Sequence, residues 1–285
     1  MAAISVRLLR AVGRIRMTGL SKFAQEVSQA SHYRRSPIAA LRYAYSKWVF
    51  RRFRQTSPVK FLQGLGIDID LAFLGFSKWR SRLEALVSAV QNGSEGQGGI
   101  SFDDGRILYG LVRALKPEYV IETGVAAGVS TSFFGAALIE NDRGRLFSIE
   151  LPPEVTQRRT LADGSLYEWH ERGVGWAIPD EIKRALGDRH RLMLQDVRTA
   201  LPALLNELPC VDIFFHDDLH TPDHMYWEYE AVWAKMSARG VLVSDDVNHG
   251  WIKFCSKQGR NRAAFHNLDR LCALRKASRE WAVAK

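Results

Sequence analysis

The sequence predicts an α/β fold, a doubly wound and mostly parallel sheet, from three observations on residues 101 to 255. Short apolar runs alternate with stretches of helical periodicity. The runs are apolar throughout rather than every second residue, as strands covered on both faces are. Most of them end in an acid, so carboxylates collect where ligands bind such sheets, beyond the carboxyl ends of the strands.

The elements follow in order. Residues 78 to 91 read as a helix, and NGSEGQGG (92 to 99) as a flexible break. SFDDGRILYGLVRALKP is a helix capped near Ser101 and ended by Pro117, which delivers the chain to strand YVIET. Next come a helix over about 129 to 140, strand RLFSIE (145 to 150), a long irregular connection, a helix near 180 to 186 and strand RLMLQD (191 to 196). A short helix (198 to 207) leads to strand VDIFFHD (211 to 217), a helix over 222 to 236 and strand GVLVSDD (240 to 246). Residues 264 to 277 are expected to supply the last strands.

Charge is unevenly placed. Residues 1 to 60 hold 13 Lys or Arg against a single acid, Glu26, so this segment's +12 exceeds the +9 of the whole chain and leaves the body at −3. Ile4, Leu8, Val12 and Ile15 recur at helical spacing, with Arg7, Arg10 and Arg14 on another face, and RYAYSKWVFRRFR (42 to 54) mixes aromatic and basic residues. Such an extension suits peripheral membrane contact through residues 1 to 54, an import sequence, or docking on the chain's own domain. No nucleic-acid-reading motif accompanies it, so no nucleic-acid partner is expected. The organisation expected is a basic amphipathic extension (1 to 60), a helical lead-in and linker (61 to 100) and the main domain (101 to 285). Cys210, Cys255 and Cys272 are widely spaced and form no CxxC pair, which favours a reducing, cytoplasmic setting over a disulfide framework or a cysteine zinc site. Assembly into an oligomer stays open.

The richest twelve residues are VIETGVAAGVST (120 to 131), a strand, a tight turn and a helix start. Gly124 and Gly128 allow the backbone to turn close to a ligand, and Ser130 and Thr131 stand at a helix N-terminus. Glu150 lies 26 residues after Gly124, near the interval at which an acid reaches ribose hydroxyls in Rossmann-type folds, and Asp196 would lie on the adenine side. Ala126 replaces the middle glycine of a dinucleotide loop, and Glu122 would repel a pyrophosphate but welcome an amino group. These departures point from NAD toward S-adenosylmethionine, which has adenosine and an amino acid but no phosphate.

A second group ends the fourth and fifth strands. Asp217, Asp245 and Asp246 are carboxylates with no basic neighbour in sequence, a set suited to Mg²⁺ or a similar divalent cation. Helix capping by Asp218 and Asp246 is the competing explanation. His220, three residues after Asp217, could accept a proton from a substrate hydroxyl. His216 and His220 also make HxxxH, but His216 inside an apolar strand fits a hydrogen-bonded core residue better than a zinc ligand, and His224 and His249 read as polar loop residues.

In VIETGVAAGVST, LFSIEL, VGWAIPDEI, VDIFFHDDLHT and GVLVSDDVN the chain resembles the class I S-adenosylmethionine-dependent methyltransferases, and within them the metal-dependent catechol-type and macrolide-sugar O-methyltransferases. The resemblance spans about residues 101 to 255. It implies a seven-stranded Rossmann-like sheet, with Glu122, Gly124, Ala126, Gly128, Ser130, Glu150 and Asp196 around the cofactor. It further implies Asp217, Asp245 and Asp246 on the metal, His220 as general base, and a small-molecule or sugar hydroxyl as acceptor. Asp218 makes the first metal position ambiguous by one residue, and Asp246 stands where catechol-type enzymes carry asparagine. Trp176 and Tyr226 or Trp227 could wall the acceptor site. A metal-dependent hydrolase would leave Glu122, Gly124, Gly128 and Glu150 without a task, and a noncatalytic docking protein would leave Asp217, His220, Asp245 and Asp246 without one.

Overall fold

Serine hydroxyls start two of the helices that frame the sheet. Ser57 Oγ accepts from Lys60 N at the head of α1 (Pro58–Gly64), and Ser101 Oγ accepts from Asp104 N at the head of α4 (Phe102–Leu115). Between them lie α2 (Ile69–Phe73) and α3 (Phe76–Gln91). The structure, a computed structural model of the 285-residue chain, describes residues 57–91, 99–154, 172–258, 262–266 and 271–276. The basic extension of residues 1 to 54 and the break at 92 to 98 lie outside the described residues. The lead-in helices share the domain's core: Phe61, Leu62, Trp79 and Leu83 are buried in one cluster with Leu108, Leu111, Phe133 and Phe215.

The sheet comprises β1 (Tyr119–Thr123), β2 (Arg145–Glu150), β3 (His190–Leu194), β4 (Val211–His216), β5 (Met236–Ser244), β6 (Arg262–His266) and β7 (Leu271–Arg275). Its order is β3-β2-β1-β4-β5-β7-β6, with β7 antiparallel to both neighbours and the other pairings parallel. The crossover helices are α5 (Val129–Asn141), α6 (Asp180–Leu186), α7 (Val197–Glu207), α8 (Pro222–Lys235) and α9 (His249–Gln258). Central strands β1, β4 and β5 are buried on both faces through Val120, Ile121, Ile213, Phe214, Phe215, Val241, Leu242 and Val243, which accounts for their unbroken apolar runs. Edge strand β3 leaves Leu192 and Leu194 exposed.

The expected elements recur with shifted ends. β3 stops at Leu194, so Gln195 and Asp196 belong to the following turn, and Asp196 caps α7 by accepting from Arg198 N. β5 begins at Met236, four residues early, because Val211↔Met236 opens a ladder with an irregularity before Ile213↔Val241. The chain visits β1, β2 and β3 on one side and then returns to lay β4 against β1. The switch point therefore falls between β1 and β4, where Thr123 pairs with His216 and His216 pairs with Ser244.

At that seam Gly124 has φ of 84°, and a Cβ there would lie 2.1 Å from Asp217 O. Gly173 has an equally left-handed φ of 86° with nothing within 4 Å of the same position. Both Gly→Ala variants carry backbone strain of about 1–2 kcal/mol, but only Gly124→Ala must also part β1 from β4. Urea denaturation should show Gly124→Ala less stable than Gly173→Ala by at least about 2 kcal/mol; equal midpoints would contradict the close contact.

Candidate active site

The turn after β1 is built from left-handed residues in alternation: Gly124, Ala126 (φ 44°) and Gly128 (φ 91°), the last at the N-cap of α5. Gly124 N donates to Ile149 O, holding the turn against the end of β2. A Cβ on Gly128 would fall 2.3 Å from Ile178 Cγ1, since residues 175 to 178 lie against the turn through Gly175 N to Ala126 O (2.8 Å) and Ala177 N to Ala127 O (3.0 Å). Trp176, between those two donors, therefore sits by the glycine turn, with the Arg172 guanidinium over its ring.

Glu122 and Glu150 have different duties. Glu122 is fully buried and accepts hydroxyl hydrogen bonds from Ser130 (3.0 Å), Thr131 (2.6 Å) and Ser148 (2.6 Å), its register partner on β2. The carboxyl group expected to meet a ligand's amino group is instead sealed beneath the turn, tying β1 to β2 and to the first turn of α5. Burial pushes its pKa up to about 7, against the three hydroxyl bonds that favour the charged form. Glu150 lies half-buried at the rim, where Oε2 accepts from Val125 N (2.7 Å) and Ala126 N (3.0 Å), and Oε1 accepts from Leu151 N. It thus stands beside the turn where a ribose-binding acid is needed. Asp196 is exposed at the N-cap of α7.

The loops after β4 and β5 leave the same edge. Asp217 N donates to Thr123 O (2.8 Å) and Asp245 N to His216 O (2.9 Å), prolonging the ladders by one rung. His220 Nε2 lies 3.6 Å from Asp217 Oδ1, so the histidine faces a carboxylate that can orient it. Asn248, which the sequence analysis did not single out, joins the two loops. Its Nδ2 donates to His220 O (3.0 Å) and its Oδ1 accepts from Gly250 N. The three acids expected to share a metal differ in setting: Asp245 is buried and Asp246 is exposed with φ of 41°, and the one His/Cys/Asp/Glu group among the described residues with ligand atoms within 4.8 Å of one another is a different one.

That other group is His216, Asp218 and Glu228, with atoms within 4.8 Å of one another. Asp218 caps no helix, Thr221 being the N-cap of α8. His216 Nδ1 lies 2.5 Å from Glu228 Oε2 and 3.1 Å from Asp218 Oδ1, and Thr123 Oγ1 donates to Glu228 Oε2 (3.1 Å). His224 is no loop residue but a buried side chain of α8, 3.1 Å from Asp218 Oδ2 and 3.7 Å from Glu228 Oε1. Burial lowers both imidazole pKa values, yet the two carboxylates outweigh it, raising His216 and pushing His224 up to about 9. The pair His224 and Glu228 was visible as an i, i+4 spacing on one helix, which places both side chains on one face. The Lys253 ammonium of α9 lies over the Tyr226 ring, and the Arg198 guanidinium of α7 over the Trp227 ring.

A cavity of about 380 Å³ opens at the opposite, amino-terminal edge of the sheet, among Pro117, Glu118, Arg143, Asp212 and Arg239. It is remote from the glycine turn and His220.

Strand order, glycine turn and rim acid together make a doubly wound, Rossmann-like sheet with a crevice at its switch point. Residues 121–247 match the family model described as a methyltransferase domain. No curated protein matches the sequence. Among solved structures, the chain is similar to cofactor-bound Rv0187 from MTB, at 16% identity over 70% of this chain and 90% of that one, with a TM-score of 0.49. It is similar also to the O-methyltransferase from Bacillus cereus in complex with SAH, at 17% over 69% and 91%, TM-score 0.48. A third is the O-methyltransferase TomG from Streptomyces achromogenes, involved in tomaymycin synthesis and in complex with SAM, at 18% over 80% and 99%, TM-score 0.46.

The state of Glu122 has a measurable consequence. With its pKa raised from 4.5 to about 7, the folded protein keeps a proton that the unfolded chain releases, so this stabilisation is present in acid and lost as pH rises toward 7. Thermal melts from pH 5 to pH 8 should show the difference between wild type and Glu122→Gln shifting in favour of the variant by on the order of 3 kcal/mol. A pH-independent difference would contradict a proton on Glu122.

Proposed function

We propose that the domain transfers a methyl group from S-adenosylmethionine to a hydroxyl oxygen of a small molecule or sugar, with His220 as general base. The observation that carries the reading is the seam itself: the cofactor-type turn at Gly124 is packed on the backbone of Asp217, so Glu150 and His220 stand on loops that meet at one edge. The residues fit the donor. The left-handed turn gives close backbone approach, Glu150 offers its carboxylate at the rim for ribose hydroxyls, and Asp196 is exposed beyond β3 on the adenine side. Bound there, S-adenosylmethionine would supply an electrophilic methyl for in-line displacement.

The chain's part is orientation and proton removal. Asp217 holds the His220 imidazole and stabilises its protonated form, and the imidazole takes the acceptor's hydroxyl proton as that oxygen attacks. Glu122 acts at one remove, fixing Ser130, Thr131 and Ser148 so that the turn keeps its shape. The Mg²⁺ set implied by the resemblance is Asp217, Asp245 and Asp246, which would hold an ion that lowers the acceptor hydroxyl's pKa, and the proposed proton transfer has no step through that ion. We further propose that residues 1 to 60 are a basic extension able to rest on an anionic surface, from their charge and spacing.

Incubation with methyl-labelled donor and panels of phenolic, sugar and polyol acceptors should place label on oxygen. With the acceptor so found, His220→Ala should lower kcat by about 10² or more and remove the acidic limb of the pH-rate profile; an unchanged profile would rule His220 out as base. Turnover lost in EDTA, restored by Mg²⁺, and not restored in Asp245→Asn would instead return a metal to the chemistry.

A further inference from the structure

We propose a transition-metal site of two histidines and two carboxylates, His216, His224, Asp218 and Glu228, that fastens the His220 loop to α8. It does not rest on the methyl-transfer reading, and it shares no residue with the Asp217, Asp245 and Asp246 set.

The first argument is donor count. His216 and Glu228 are fully buried and His224 nearly so, and the four oxygens of Asp218 and Glu228 face His216 Nδ1, His224 Nε2 and Thr123 Oγ1, with Leu219 N also donating to Asp218. Glu228 Oε1 and Asp218 Oδ1 have no hydrogen-bond partner among the described residues. One imidazole nitrogen carries one proton, so His216 Nδ1 cannot serve Glu228 Oε2 and Asp218 Oδ1 equally well. Buried carboxylates short of donors are costly, and a divalent cation in their midst would satisfy all of them at once.

The second argument is spacing. His216 Nδ1 lies 2.5 Å from Glu228 Oε2 and 3.1 Å from Asp218 Oδ1, and His224 Nε2 lies 3.1 and 3.7 Å from the other oxygens of the same carboxylates, Asp218 Oδ2 and Glu228 Oε1. Four ligands bonded at about 2.0–2.1 Å form a tetrahedron with edges of about 3.3 Å; His216, Asp218 and Glu228, with ligand atoms within 4.8 Å of one another, would take three of its corners, and a turn of the two carboxylates would bring His224 Nε2 to the fourth. Two imidazoles with two carboxylates favour Zn²⁺, Co²⁺ or Mn²⁺ over Mg²⁺, which prefers oxygen ligands and water. Four protein ligands leave no open position, so the ion would be structural. It would join the end of β4 and the loop residue two before His220 to two residues on one face of α8.

The test uses the full chain, purified without a histidine tag, stripped with chelator and titrated with Co²⁺ and Zn²⁺. One equivalent of Co²⁺ should bind with the visible bands of a tetrahedral nitrogen and oxygen site, and Zn²⁺ should raise the melting temperature of the stripped wild type. Glu228→Gln and His224→Gln should each weaken Co²⁺ binding at least tenfold, while Asp245→Asn leaves it unchanged. The proposal is overturned if wild type neither binds Co²⁺ nor melts higher with Zn²⁺. It is equally overturned if Asp245→Asn removes the site while Glu228→Gln keeps it.

Discussion

The contact between Gly124 and the backbone of Asp217 is the constraint on which the rest of the site depends. Two parallel strands whose following loops diverge in opposite directions leave a crevice between them, and the depth of that crevice is set by how closely the first residues of the two loops approach. Glycine at 124 lets them touch. With that contact made, the turn to α5, the rim acid Glu150 and the His220 loop are all held within one edge of the sheet.

Buried polar groups on the two faces of β1 then lock the edge from below. Successive residues point to opposite faces, so Glu122 meets Ser130 and Thr131 of α5 while Thr123 meets Glu228 of α8. Each face thereby ties one loop to one helix: the glycine turn to α5, and the stretch from His216 to Asp218 to α8. Such networks are favourable only when their members are satisfied. The Glu122 face meets that condition with three hydroxyl donors, and the α8 face falls short of donors, which is why the two faces are read differently.

The sheet was legible in the sequence because a strand covered on both faces must be apolar throughout, and VDIFFH and GVLVS meet that demand without ambiguity. The glycine turn was legible for a related reason, since left-handed backbone at Gly124 and Gly128 narrows the residue choice. Side-chain direction was not. Glu122 and Glu150 look alike as acids at strand ends, yet the first faces inward because its register partner Ser148 and the first turn of α5 supply hydroxyls, a fact of three separated segments. The expected convergence of Asp217, Asp245 and Asp246 meets the same limit of spacing rules. Adjacent strand ends fix where the backbones lie, whereas Asp246 takes a left-handed backbone and an exposed position that no spacing rule anticipates. His224 was read as a polar loop residue although the helix expected over 222 to 236 contains it; that it is buried depends on which face of α8 meets β4, which the spacing of one helix does not give.

The central claim is that the β1 edge beside Glu150 holds S-adenosylmethionine, and equilibrium calorimetry on the full chain tests it most directly. Glu150→Gln keeps a carbonyl oxygen for Val125 N and Ala126 N but gives up the charge offered to ribose hydroxyls. The account predicts saturable one-to-one binding of S-adenosylmethionine by the wild type, weakened about tenfold in Glu150→Gln. Absence of binding by the wild type, or equal affinity in the two proteins, would contradict it.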